Sequence, residues 1–172
     1  MTASGHIGRS IETARQYLAE HPEEARYTDT AALAMVERGL RCRVDGPNGA
    51  SVYTDMPTGV GGESTAPSPG WLLRAGQASC DATLIMMRAA ELGIALQRVE
   101  VVVDSESDDR GILAMDDDVP AGPLSTRTRV RIRADGVEPQ VLQELVEWAE
   151  RHSPVSDSLR RVVPMTVEVE SA

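Results

Sequence analysis

The 172-residue sequence contains no phenylalanine, and aromatic residues make up only 3% of it. It also has no lysine, so its strongly basic side chains are all arginines. The hydrophobic core must therefore be built from Leu, Val, Ile, Met and Ala. Hydrophobic residues still amount to 41% of the chain, which is an ordinary share for a globular protein, and the length suits one domain.

Positive charge is scarce as well. Seventeen arginines face 27 acidic residues, which gives a net charge of −10 and a pI near 4.7. This balance argues against broad binding to nucleic acid or to an anionic membrane surface. No apolar run reaches the roughly 18 residues that a membrane span needs, and the N-terminus lacks the pattern of a secretory signal. We therefore expect a cytoplasmic protein.

Cysteine and histidine are too few, and too widely spaced, to indicate a zinc site. The two cysteines are Cys42 and Cys80, and only three histidines accompany them. A reducing cytosol disfavours a structural disulfide between the cysteines. The acidic loop "DDRGILAMDDD" lacks the order of an EF-hand. We expect neither a metal nor a cofactor.

The first third of the chain predicts a helix and a hairpin. Apolar residues at helical spacing indicate a helix over 10–20, with Ser10 as its N-cap. Residues 29–38 fit either a second helix or the start of a strand. Alternating residues on both sides of "DGPNG" predict a β-hairpin over 40–55, and a loop rich in Gly, Pro, Ser and Thr follows it.

A long helix is predicted over 69–92. Ser68 is its expected N-cap, Pro69 its first residue and Gly93 its stop. Because apolar residues surround Cys80 on more than one face, we expect this helix to be buried on all sides.

The last half of the chain predicts strands over 95–104 and 124–135, then a helix over 138–152. The second of these strands alternates Thr, Val and Ile with four arginines, which is typical of a strand with one solvent-facing side. A short helical piece with Ser156 as N-cap and a closing strand over 162–170 complete the pattern. Such an order predicts an α+β fold with antiparallel pairing.

Local sequence alone favours a structural role for Cys80. A reactive thiol needs a cation, a helix N-terminus or hydrogen-bond donors nearby, and Cys80 lies about three turns beyond Pro69. Arg74 is six residues away and does not share its helical face. Read locally, Cys80 fills the core and Arg74 faces solvent or an interface.

Several stretches in order nevertheless resemble one family. "GGESTAPSP" leads into "LLRAGQASCDATLIMMRAAELGI", followed by "VEVVVD", "DRGILAMDDDVPAG" and "LQELVEWAERHSPVSDSLRR". This arrangement resembles the OsmC/Ohr family of osmotically inducible and organic hydroperoxide resistance proteins, over about residues 38–170. The resemblance implies an intertwined homodimer with curved sheets around two long central helices. It leaves residues 1–37 as an N-terminal helical extension and makes 38–172 the OsmC-like domain.

The resemblance also implies roles for individual residues. Cys80 falls on the position of the peroxidatic cysteine, and Ser153 in "SPV" falls on that of the resolving cysteine. The family's glutamate would fall near Gly70 or Trp71, neither of which is acidic, and Glu63 is the nearest carboxylate in the preceding loop. Arg41 and Arg43 are the candidates for the family's arginine, and no motif decides between them.

Because a serine hydroxyl cannot form a disulfide, two hypotheses from different classes remain. In the first, Cys80 reduces hydroperoxides, and an external small thiol or Cys42 resolves it. The Cys42 route requires Cα atoms within about 7 Å. In the second, the homodimer is not an enzyme and binds a small apolar molecule in an interface cleft beside Trp71, Met86 and Met87. A cation at the Cys80 sulfur would favour the first hypothesis.

Overall fold

The computed structural model describes residues 3–171, which form an α+β fold with antiparallel strands, as the sequence predicts. No helix in this part of the chain is both long and apolar enough to cross a bilayer. The helices are α1 Ala3–Glu20, α2 Pro69–Glu91, α3 Asp109–Ile112, α4 Pro139–His152 and α5 Pro154–Arg160. The strands are β1 Leu33–Arg38, β2 Arg41–Asp45, β3 Ser51–Thr54, β4 Arg98–Glu106 and β5 Ser125–Arg133.

The first sheet has the order β1-β2-β3 and contains the predicted hairpin. Its turn uses Asn48 and Gly49, both with positive φ, at 56° and 73°, which are backbone angles that Asn and Gly adopt most readily. The ambiguous segment 29–38 contains a strand, β1, rather than a helix. Every residue of β1 is exposed, so this sheet leaves an edge strand open to solvent.

The second sheet pairs β4 with β5 in antiparallel register. The predicted alternation along β5 is confirmed: Thr128, Val130 and Ile132 are half-buried, and the arginines between them are exposed. Three of the exposed arginines pair with carboxylates of β4, as in the contact of Arg127 with Asp104 at 3.1 Å, and Arg133 lies 4.0 Å from Asp135. This arginine row is therefore a solvent-facing surface whose charge is balanced within the sheet.

Helix α2 lies at the centre of the chain and begins where the sequence predicts. The Ser68 Oγ accepts a hydrogen bond from the Trp71 N–H at 3.2 Å, and Pro69 is the first helical residue. Ile85 and Ala89 of α2 pack against α4 in the hydrophobic core. Valines and isoleucines of the second sheet and residues of α4 cover this cluster.

The expectation that α2 is buried on all sides is wrong for the isolated chain. Trp71 is 49% exposed, and Leu73 and Met86 are 39% and 38% exposed. The cause is that β4, α1, α4 and α5 cover only part of the helix circumference. The remaining apolar stripe of α2 has no cover from its own chain.

Two predicted helix starts are also wrong. Helix α1 begins at Ala3, so Ser10 lies inside it rather than at its N-cap. Helix α5 is capped by Ser153 and not by Ser156, because Pro154 takes the first helical position and places Ser153 just before it.

The predicted closing strand over 162–170 is absent from the described chain. Met165, Val167 and Val169 alternate with polar residues, which is strand-like, but all three are between 79% and 86% exposed. A strand exists only where a neighbour receives its backbone hydrogen bonds, and no strand of this chain pairs with the segment.

Candidate active site

Cys80 lies in the middle of α2 with a half-buried side chain and a free thiol. Within the described chain its sulfur has no hydrogen-bond or ion-pair partner. One helical turn earlier on α2 is Gln77, and the next residue is Asp81, both of which are buried. The thiol is therefore an accessible group on the central helix, and no cation among residues 3–171 forms an ion pair or hydrogen bond with it.

Arg41 is held by three groups on the first sheet and the following loop. Its guanidinium donates to the Thr65 Oγ1 at 2.7 Å and to a Glu37 carboxylate oxygen at 3.3 Å. It also lies over the Tyr53 ring, 4.5 Å from the centroid. This fixed arrangement places the guanidinium next to the loop that leads to α2.

Arg43 and Glu63, the other two predicted charged residues, have separate partners. Arg43 pairs with Asp45 at 3.0 Å, and its buried Nε lacks a hydrogen-bond acceptor. Glu63 pairs with Arg38 at 2.5 Å. The structure brings neither of them, nor Arg41, into a hydrogen bond or ion pair with Cys80 of the same chain.

The loop before α2 is organised by Asp55, which the sequence reading missed. Its carboxylate accepts hydrogen bonds from the Thr65 backbone N–H at 3.0 Å, the Thr65 hydroxyl at 2.8 Å and the Met56 N–H at 2.8 Å. These bonds, first those from Thr65, lower the pKa of Asp55 to about 2. Through Thr65, the carboxylate also positions Arg41. The sequence signal was an acidic residue directly after a strand.

Ser153 is completely buried and closes a polar cluster between α5 and α2. Its hydroxyl accepts from the Ser156 N–H at 3.4 Å, and the Ser156 hydroxyl donates to the Asp81 Oδ1 at 3.0 Å. The Asp81 Oδ2 is buried without a partner. Ser153 is thus connected through Ser156 to Asp81, the sequence neighbour of Cys80. An aspartate within an apolar helical run was the signal for this cluster.

Cys42 is also a free thiol, half-buried on β2. Its sulfur lies 4.0 Å from the Leu40 carbonyl oxygen, and its cross-strand neighbours are Val36 and Thr54. No disulfide joins it to Cys80. The other predicted residues lie on α2, where Trp71 and Met86 are exposed and Met87 is half-buried.

One group of side chains in residues 3–171 has the composition of a metal site. His21, Glu23 and Glu24 place ligand atoms within 4.8 Å of one another, and both glutamates are exposed. The Tyr17 hydroxyl already donates to Glu24 at 2.8 Å. The group lies in the turn after α1 and takes no part in the surroundings of Cys80.

Comparisons with known proteins give one consistent family. A family model described as OsmC-like protein matches residues 61–168, which include Cys80 and Ser153. A search of the curated proteins gave no match.

Solved structures agree with the family match. An organic hydroperoxide resistance protein OsmC from Legionella pneumophila is 25% identical, with a TM-score of 0.58 over 79% of this chain and 91% of that one. One from Elizabethkingia anophelis is 20% identical, with a TM-score of 0.59 over 79% and 91%. An OsmC-like protein of unknown function from Vibrio cholerae is 11% identical, with a TM-score of 0.64 over 77% and 94%.

Proposed function

Because the chain belongs to the OsmC-like protein family, we propose that it reduces organic or inorganic hydroperoxides with Cys80 as the peroxidatic residue. The observation that carries the proposal is that the matched segment, residues 61–168, contains one cysteine, which is half-exposed, unpaired and on the central helix. Two of the structural neighbours are named organic hydroperoxide resistance proteins. We place the reaction in the cytoplasm, where free thiols persist.

The cycle needs an external thiol because Ser153 has no sulfur. The Cys80 thiolate attacks the terminal oxygen of the hydroperoxide, an S–O bond forms, the O–O bond breaks, and the alkoxide leaves as an alcohol after taking a proton. A small thiol then condenses with the sulfenic acid, which gives a mixed disulfide and water. A second thiol attacks this disulfide, is released as the oxidised disulfide of the small thiol, and restores Cys80.

We further propose that the active unit is a homodimer. Among the described residues no helix packs extensively on the first sheet, all of β1 is exposed, and the apolar stripe of α2 is uncovered. In a homodimer, Arg41 or Arg43 of a second copy, with Glu63, would reach the Cys80 thiol and favour its ionisation. Such a homodimer would explain why no cation among the described residues of one chain contacts the free Cys80 thiol.

Mass spectrometry after graded hydroperoxide treatment tests the proposal. We expect Cys80 to become a sulfenic acid, or a mixed disulfide when a small thiol is present, at peroxide concentrations that leave free thiols in solution reduced. Cys80→Ser should lose peroxide consumption. If Cys80 stays reduced while free thiols oxidise, or if Cys80→Ser consumes peroxide normally, the proposal is wrong.

The identity of the resolving thiol needs a separate test. With an external resolver, Cys42→Ser should retain full turnover, and a non-reducing digest of oxidised protein should contain no peptide that links Cys42 to Cys80. A Cys42–Cys80 peptide together with lost turnover in Cys42→Ser would instead assign resolution to Cys42.

A second candidate function is favoured by the lack of any cation at the Cys80 sulfur in one chain. In this alternative the dimer is a binding protein, and a small apolar molecule lies against Trp71, Met86 and Met87. Large apolar side chains exposed on a central helix are typical of a binding surface. Quenching of Trp71 fluorescence by an apolar ligand, together with an unreactive Cys80, would support this function over the first.

A further inference from the structure

A cavity of about 440 Å³ lies at the N-terminal end of α2. One wall is the α2 stripe formed by Gly70, Leu73, Arg74 and Gln77. The opposite walls come from the loop after β3, with Met56 and Pro57, and from the segment that joins β4 to β5, with Ile112 and Pro123. The size is that of a small-molecule site, and most of the walls are apolar.

Arg74 lines this cavity and forms no ion pair with any described residue. In residues 3–171 it is the one half-buried arginine without an ion pair, in a chain where most arginines have one. Its guanidinium donates to the Ser105 hydroxyl at 3.1 Å, and Ser105 also lines the cavity. Further donors of the guanidinium remain for a ligand, and a carboxylate is the group that best fits their geometry.

Gln77 provides a second and independent indication of a ligand. Its side chain is 6% exposed, its Nε2 donates to the Thr128 hydroxyl at 3.3 Å, and its buried Oε1 has no hydrogen-bond donor. A buried amide oxygen without a donor is costly, and Gln77 lines the cavity one helical turn from Arg74. A ligand with a hydroxyl group several bonds from its carboxylate would satisfy both residues.

Two acidic residues at the cavity limit the charge of the ligand. The Asp108 carboxylate is neutralised by Arg110, whose guanidinium donates to both its oxygens at 3.0 and 2.6 Å. Asp109 is exposed and lines the same cavity without an ion pair. A second negative charge on the ligand would be repelled by Asp109, so a monocarboxylate fits and a dicarboxylate does not.

We propose that this cavity is a binding site for a small hydroxy-monocarboxylate with an apolar body, held by Arg74 at its carboxylate and by Gln77 at its hydroxyl. Gly70, Leu73, Arg74 and Gln77 follow helical spacing, and the next position of that stripe is Asp81, which is buried. Cys80 does not line this cavity. The site goes beyond the proposed peroxidase function and stands even if Cys80 proves unreactive.

Titration calorimetry with three probes tests the site on the wild-type protein. The probes are hexanoate, uncharged hexanamide and ω-hydroxyhexanoate. We expect hexanoate to bind at least about tenfold more tightly than hexanamide, and ω-hydroxyhexanoate to bind most tightly. Binding of hexanoate and hexanamide with equal affinity, or no binding of any probe at millimolar concentration, would overturn the proposal.

Variants assign the binding to the named residues. Arg74→Gln should weaken hexanoate binding about tenfold or more, whereas Arg151→Gln, at an exposed arginine on α4 away from the cavity, should not change it. Ile112→Glu, at an exposed cavity residue that does not support the core, should also abolish binding by repulsion. Gln77→Met should remove the advantage of ω-hydroxyhexanoate over hexanoate. Unchanged binding in both Arg74→Gln and Ile112→Glu would place the probe elsewhere and overturn the proposal.

Discussion

At the scale of single residues, Ser153 has the largest chemical consequence for the proposed reaction. A hydroxyl at this position supports the α5 N-terminus and cannot take part in disulfide exchange. The family resemblance assigns this position to the cysteine that resolves the sulfenic acid. In this chain the serine has a structural role there instead. The surrounding cluster with Ser156 and Asp81 lies next to Cys80, so a thiol placed there tests the geometry directly.

We predict that Ser153→Cys forms a disulfide with Cys80 after one equivalent of hydroperoxide. The introduced sulfur takes the resolving position, and loss of the hydroxyl cap costs about 0.5–2 kcal/mol of stability. A non-reducing digest with mass spectrometry measures the linkage. Ser158→Cys, at an exposed position of the same helix, is the matched control and should not cross-link to Cys80. Equal cross-linking to Cys80 in both variants would show that the disulfide does not depend on the position of the introduced thiol.

Asp55 gives a prediction about pH. Its pKa is lowered to about 2 in the folded protein, so its charged form stabilises the fold above the unfolded pKa of about 3.9. This contribution is lost as the pH falls through 2. Asp55→Asn should therefore lower Tm by on the order of 5 °C at pH 7, and the difference from wild type should shrink between about pH 4 and pH 2.

Asp29→Asn, at an exposed aspartate, is the control for general charge effects. It should change Tm little at any pH. A deficit of Asp55→Asn that stays constant down to pH 2 would contradict the role assigned to its carboxylate and would point to packing instead.

At the scale of elements, the features that the sequence predicted correctly are those determined by neighbouring residues. The cap at Ser68, the stop at Gly93, the hairpin turn at Asn48–Gly49 and the alternation along β5 are all encoded by neighbouring residues. The errors have a different origin. Residues 162–170 alternate like a strand but lack a strand to pair with, and α2 is apolar all round although its own chain covers only part of it.

The candidate site was less predictable than the fold. Cys80 and Ser153 were singled out by the family resemblance, and their roles stay predictions. The roles of Asp55, Arg74 and Gln77 depend on contacts between segments that lie far apart in sequence. The contact of Gln77 with Thr128 is an example. The hydrophobic periodicity of the sequence does not indicate which distant residues contact each other in the folded chain.

The contact between α1 and α2 allows a matched pair of glycine substitutions. A Cβ at Gly8 would lie 2.9 Å from the Ala90 carbonyl oxygen, whereas a Cβ at Gly76 of α2 would meet nothing within 4 Å. Gly8→Ala should therefore destabilise the protein by about 1–3 kcal/mol because the helices must separate. Gly76→Ala should stabilise it by about 0.5–1 kcal/mol through the lower entropy of the unfolded chain. Urea unfolding measures both, and equal effects would mean that α1 does not dock closely on α2.

At the scale of the whole molecule, three uncovered apolar surfaces have one explanation. The β1 edge, the exposed stripe of α2 and residues 162–170 would each be a liability in a monomer, because open strand edges and apolar patches promote association. A second copy that covers them would also supply arginines near Cys80. Stability and catalysis would then depend on the same interface.

We therefore predict that Val36→Glu weakens dimerisation and peroxide reduction together. Val36 is 69% exposed on β1, so a charge there leaves the fold of the isolated chain unaffected but would be buried in an interface. Sedimentation equilibrium should show a dissociation constant raised at least about tenfold, while Val36→Thr, which keeps the β-branched shape, changes it much less. Peroxide consumption should fall with the dimer fraction, because in the proposed homodimer the arginines near Cys80 would come from the second copy. Full activity of a monomeric Val36→Glu protein would show that one chain contains everything the thiol needs.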